Sequence, residues 1–238
     1  MPRGVLNIIR GRETTEMTTT EATQTITLPA STWLAALDSC RELAAKGDTR
    51  PVLCGVRVSV RAEEIVISGT DSHALVSIHV PYTAEAMGEY VLSARANYND
   101  DGRAYAAAIA ALRVAARDEK RGLTAQIAIT FTDTEATLII GASRIVIPLL
   151  RESYPAVEGF TPAIDPDASF NGRIGFGPAL FGRVLGVAEK YAHKSDRTSP
   201  QVVRFAFTDC RKPARLDWNG DGWRAVAVVM PLFVDFTD

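Results

Sequence analysis

The sequence predicts an α+β fold made of tandem repeats, each a strand, a helix and three further strands. Three observations lead there. Short segments of β-rich, alternating apolar and polar residues recur in groups. An apolar spacing of three and four residues, the mark of a helix with one buried face, stands in front of each group of three strands. The whole order occurs three times, over roughly residues 25–83, 88–150 and 170–234, which restricts the architecture to repeated units.

Residues 1–24 read as a tail: MTTTEATQT is threonine-rich and aperiodic, and Met17 is an alternative start. In the first repeat, Ile26 and Leu28 alternate as a strand, and Trp33, Leu34, Leu37 and Ala44 repeat at helical spacing. PVLCGVRVSVR, EEIVISGTD and HALVSIHV follow as strands. The last two alternate as half-buried antiparallel strands do.

The second repeat opens with the strand EYVLSA. NDD supplies an N-cap and acidic residues at a helix start, and the helix packs through Tyr105, Ile109, Leu112 and Ala116. AQIAITFTD, ATLIIG and SRIVIPLL are its strands. After the proline-bearing ESYPAVEGFTPAIDPDAS comes the third repeat: RIGFG as a strand, then Pro178 at the favoured first position of a helix. VVRFAFTD, ARLDW and WRAVAVVMPL complete it. The expected organisation is one two-repeat domain over 25–155, a linker over 156–169 and a half domain over 170–238.

Apolar residues make up 47% of the chain and charged residues 23%, the balance of a soluble globular protein. No apolar run reaches the length of a membrane span, and the first residues lack the features of a signal peptide. Cys40, Cys54 and Cys210 are irregularly spaced, which suggests neither a disulfide framework nor a zinc site and points to a reducing cytoplasm. A net charge of −2 argues against gripping nucleic acid over the whole surface, while leaving room for a local basic face.

Several catalytic or metal patterns fail on inspection. DWNGDG imitates half of a calcium loop, but Val228 stands where the bidentate Glu belongs, and Asn219-Gly220 reads better as a hairpin turn. His73 and His79 are too far apart along one strand to share a metal, and His193 reads as a solvated helix-end residue. Asp71, Ser72 and His73 are triad residue types without a nucleophile elbow. No cofactor, metal or active site is expected.

Six segments, in this order, carry a family resemblance. TITLPASTWLAALDS looks like an opening strand and helix, RPVLCGVRV like an "RPVLSGV" second strand, and SGTDSHALVSIHVP like an "ATDGHRLA" signature. SRIVIPLLRESYPAVEGFTP is similar to a closing strand with an "FPDY" connection, and RIGFGPALFGRVLG with AVVMPL to the end of a last domain. Together they resemble the bacterial β sliding clamp of DNA polymerase III. The resemblance implies a DNA-clamp fold with antiparallel sheets outside and helices inside, and a non-catalytic processivity factor around duplex DNA. That family has three domains of two repeats each, so this chain corresponds to the middle domain plus the second half of the last.

A clamp needs helices that attract phosphates without reading bases. Arg113, Arg117, Lys120 and Arg121 share one face of the second helix, and Arg183, Lys190, Lys194 and Arg197 form a stripe on or beyond the third. Arg41 and Lys46 on the first are diluted by Asp38 and Glu42. Such stripes also describe ordinary solvated helix faces. By the same resemblance, a pocket for polymerase and clamp-loader peptides would draw on Thr70, Ser72, His73, Leu75, Pro155, Phe160, Val228, Met230 and Pro231. Apolar walls with an adaptable Met suit an extended peptide, although Leu75 and Val228 also read as core. Ala74 stands where the family has Arg. Three repeats per chain imply four chains in a ring of twelve units. The alternative is a clamp-derived module that sequesters replication proteins without encircling DNA.

Overall fold

In the computed structural model, residues 23–47, 50–96, 102–119, 126–163, 174–192, 202–207 and 211–232 are described. The first repeat comprises β1 (Gln24–Pro29), α1 (Ala30–Leu43), β2 (Gly55–Val60), β3 (Glu64–Thr70) and β4 (Ala74–Pro81). The second comprises β5 (Gly88–Ser93), α2 (Arg103–Glu119), β6 (Gln126–Phe131), β7 (Glu135–Ile140) and β8 (Ser143–Pro148). The third has α3 (Pro178–Tyr191), β9 (Arg204–Ala206), β10 (Ala214–Asn219) and β11 (Arg224–Val229).

The strands form two antiparallel sheets, β1-β6-β7-β8 and β5-β2-β3-β4-β11-β10-β9. The leading strands of the first two repeats are exchanged: β1 pairs with β6, and β5 pairs with β2. Neither repeat is complete alone. The third repeat joins the larger sheet through β11, which runs against β4 from Ala74↔Val229 to His79↔Arg224.

The helices lie in one layer on the sheets, with α1 packed against both α2 and α3. Trp33 is fully buried, and its indole N–H donates to the Ile127 carbonyl at 3.0 Å, across to the second repeat. Tyr105 of α2 is buried likewise and donates its hydroxyl to the Leu37 carbonyl at 2.8 Å. Gly69 lets α1 approach β3: a Cβ there would fall 2.0 Å from the Cys40 carbonyl oxygen, a contact that only glycine avoids.

Four expectations need correction. β3 and β4 alternate in composition but not in burial, because both faces are covered. Ile65, Ile67, Val76 and Ile78 meet the helix layer. On the other face, Leu75 packs with Val91, Tyr154, Val157 and Val228, so the segment after β8 folds back over the sheet. Arg57 anchors it there, reaching Glu158 at 2.9 Å and Glu89 at 2.8 Å.

RIGFG is not a strand: among its described residues, only Gly175 bridges, to Leu232. Among the described residues of VVRFAFTD, only the three of β9 form a strand. PVLC forms a 3-10 turn, with β2 starting at Gly55. The NDD cap lies outside the described residues. Asn219-Gly220 does open a hairpin, closed by the Gly220 N–H to the Trp223 carbonyl at 2.9 Å.

Candidate peptide pocket and helix face

The turn between β3 and β4 is built by its own side chains. The Asp71 carboxylate accepts the backbone N–H groups of His73 at 3.0 Å and Ala74 at 2.9 Å. Thr70 Oγ1 accepts from the Ser72 N–H at 3.1 Å and donates to the Ala74 carbonyl at 2.7 Å. This holds Ser72 at φ +72°, a left-handed geometry that non-glycine residues adopt only when locally compensated. The Met230 N–H then donates to the His73 carbonyl at 2.9 Å, tying the end of β11 to the turn.

A cavity of about 140 Å³ opens beside this turn. Thr70, Ser72, His73, Leu75, Pro155, Phe160, Val228 and Met230 all line it, so the residues expected to form a pocket meet in one place. Pro231 follows Met230 but does not line the cavity. Three lining residues were missed, Arg50, Leu53 and Val157, and Ala74, noted only as standing where the family has Arg, lines the cavity too. The signal for them was present, since Arg50 and Leu53 belong to RPVLCGV and Val157 lies between Pro155 and Phe160. The floor is apolar where Leu75 faces Val228 in register. Phe160 (61% exposed) and Met230 (41%) stand at the rim, and Arg50 supplies a positive charge.

No catalytic relay forms in the turn. The Ser72 hydroxyl donates to the Asp71 carbonyl, His73 Nδ1 lies 3.3 Å from the same oxygen, and the Asp71 carboxylate is occupied elsewhere. Besides the two N–H groups, it receives Arg183 of α3 at 2.6 Å. Burial pushes the Asp71 carboxyl up, but those N–H groups and the guanidinium outweigh it and hold it below the ordinary range. Among the described residues, no three His, Cys, Asp or Glu side chains are grouped to hold a metal.

The helix layer centres on Asp38, whose side chain is 1% exposed. Its carboxylate accepts Arg113 of α2 at 3.1 Å, together with Lys190 and the Tyr191 hydroxyl of α3. Burial raises this carboxyl, and the hydrogen bonds from Lys190, Tyr191 and Arg113 overcome that and lower it. One buried anion therefore gathers two half-exposed cations from different repeats. Sequence reading treated Asp38 only as a diluting charge. It is the junction.

The other basic residues divide. Arg117 and Lys46 are exposed. Arg41 donates its Nε–H to the Ala94 carbonyl at 3.2 Å, and Arg183 is engaged with Asp71. Both thus have internal partners, as Arg113 and Lys190 do. Lys120, Arg121, Lys194 and Arg197 lie outside the described residues.

This arrangement of exchanged repeats, sheets on one side and helices on the other, is the fold of DNA sliding clamps. Solved clamps match it over most of the chain. The DNA polymerase III subunit beta from Pseudomonas aeruginosa superposes with a TM-score of 0.68 at 14% identity, covering 98% of this chain and 70% of its own. A P. aeruginosa DNA polymerase sliding clamp with ligand gives 0.66 at 14%, covering 88% and 66%. The beta subunit from Thermotoga maritima gives 0.62 at 13%, covering 94% and 69%. This chain spans about two thirds of the length of those clamps. No protein-family model matches it, and neither does any curated protein.

Proposed function

We propose that this protein is a DNA sliding clamp that works by topology and docking, without catalysis. Copies of the chain close around duplex DNA, with α1, α2 and α3 towards the phosphates. The pocket beside the β3–β4 turn receives short, partly apolar peptides of a DNA polymerase and of the loader that opens the ring. The observation that carries this reading is the pocket itself: distant stretches of the chain converge on one apolar cavity with a polar turn at its edge, on a clamp fold.

The helix side supports non-specific attraction. Arg113 and Lys190 together outnumber the Asp38 charge they share, and each is about half exposed. Arg117 and Lys46 add exposed charge. Contacts of this kind steer and retain DNA without selecting sequence, and they weaken as salt rises. Three repeats go four times into the twelve-unit ring that the resemblance implies, so the proposed ring is a homotetramer in the cytoplasm. Among the described residues, no helix is long and apolar enough to cross a membrane.

The test is retention on DNA. A clamp stays on closed circles and runs off the same molecule once it is linearised. Equal loss from both forms overturns the reading. A second reading, a docking module that does not encircle DNA, is favoured by the chain spanning only 66–70% of the length of these three clamps. Solution mass separates the two, since a lone chain cannot surround a duplex.

A further inference from the structure

The first two repeats close each other: β5 runs along the free side of β2, and β1 along the free side of β6. The third repeat has a helix and three strands, and among the described residues no second repeat completes it. β9 stands where β2 and β6 stand, first of three consecutive strands, and its outer side has no neighbouring strand among the described residues. It is three residues long where β2 and β6 are six. Residues 174–177, just before α3, are placed like the end of β5. Gly175 bridges Leu232 beyond β11, just as Leu92 bridges Leu149 beyond β8.

The surface around this open edge is apolar. Val202 is 63% exposed, Leu232 53% and Phe205 43%. Phe205 stacks with Phe207 at 6.1 Å and contacts Phe181 at 5.9 Å, giving an aromatic sheet-to-helix patch. Exposed apolar surface beside an unpaired strand edge favours association. On α3, Gly182 and Gly186 face open space. Mid-helix glycine costs helix stability, and among the described residues these two gain no close contact in return.

We infer that this face is the interface with a second copy of the chain. Two third repeats close each other across a two-fold axis, each lending the segment before α3 to the β9 edge of the other. Each copy carries both the lending segment and the receiving edge, which is the self-complementarity that a two-fold contact requires. The occupant is a second copy because the chain already contains the template, in the pairing of its first two repeats. The contact stands on those repeats; only its use in closing a ring rests on the clamp reading.

Sedimentation or light scattering on the full chain tests it. The expected mass is an even multiple of the chain mass. Phe205→Glu should halve it by placing a charge in the patch. Gly186→Trp should also lower it, by filling the α3 flank, and because a Cβ at Gly186 meets no described atom within 4 Å it keeps the test valid if Phe205→Glu does not fold. A single-chain mass at every concentration overturns the inference, and so does an unchanged mass in folded forms of both variants. A protein whose mass falls in these variants, yet which is never retained on closed circles, upholds the interface and overturns the clamp.

Discussion

α1 and α3 are two versions of one helix. Each has 14 residues, and each ends at an alanine in extended conformation, Ala44 or Ala192. α1 is buried except at Ser31, Leu34, Arg41 and Glu42, whereas α3 buries only Val184, Val187 and Ala188. The difference is in their neighbours. α1 lies on β3 and β4 and packs against both other helices, whereas α3, among the described residues, packs mainly against α1, β11 and β4. The same unit is therefore core in the first repeat and surface in the third. Length and termination follow from local sequence, whereas burial follows from the partner.

The largest effect that could break this comparison is at the fourth residue of each helix. Trp33→Ala should cost about 3–5 kcal/mol of unfolding free energy, the usual range for a fully buried aromatic. Phe181→Ala, at a half-buried site, should cost about 1 kcal/mol in the separated chain. Equal losses in denaturant titrations would show that the burial difference carries no energetic weight.

Next comes Asp38, where α1 meets both other helices. Asp38→Asn should cost about 1–3 kcal/mol, since a charged acceptor to three donors is replaced by a weaker one. The folded carboxyl titrates below the ordinary aspartate range, so its stabilisation is present above that range. It is lost as the pH falls through the lower folded value. Thermal melts from pH 6 downward should show this loss in the parent protein and a shallower one in Asp38→Asn.

At the pocket, Met230→Glu should weaken binding of a polymerase-derived peptide at least about tenfold, or 1.4 kcal/mol. Circular dichroism should not change, because Met230 is partly exposed. Unfolding instead would make Met230 a core residue.

The smallest effect on stability is expected from Lys46→Glu with Arg117→Glu, within about 0.5 kcal/mol. These exposed positions test DNA attraction better than Arg113 or Lys190, whose reversal would also disturb Asp38. If each contacts a phosphate, the salt slope of DNA retention should fall by about 0.9 per residue. An unchanged slope would remove both from the DNA-facing surface.

Local pattern revealed most of the elements. Ile26 and Leu28, the Tyr105–Ala116 spacing and the Asn219-Gly220 turn all fall where periodicity and turn chemistry put them. Pairing was hidden, because nothing local says that β1 leaves its own repeat for β6. The strand expected at RIGFG failed for a related reason: a strand needs a neighbour, and alternation cannot show whether one exists. The pocket was legible only through the resemblance, since Thr70, Pro155 and Val228 are distant in sequence. Asp38 was misread because a charge among apolar residues tells nothing of donors arriving from two other helices.

The floor of the pocket is the Leu75–Val228 pair, which is also a rung of the ladder joining β4 to β11. The cavity therefore sits on a seam between the first repeat and the third, with Met230 and His73 bonded across it. A ligand held there touches both sides and so acts as a splint. Its binding is thermodynamically linked to closure of the seam: occupancy at a hundred times the dissociation constant would add about 2.7 kcal/mol against opening at that joint. Conversely, strain that pulled β11 from β4 would eject the ligand. Peptide affinity could thus serve as a gauge of mechanical load on the chain.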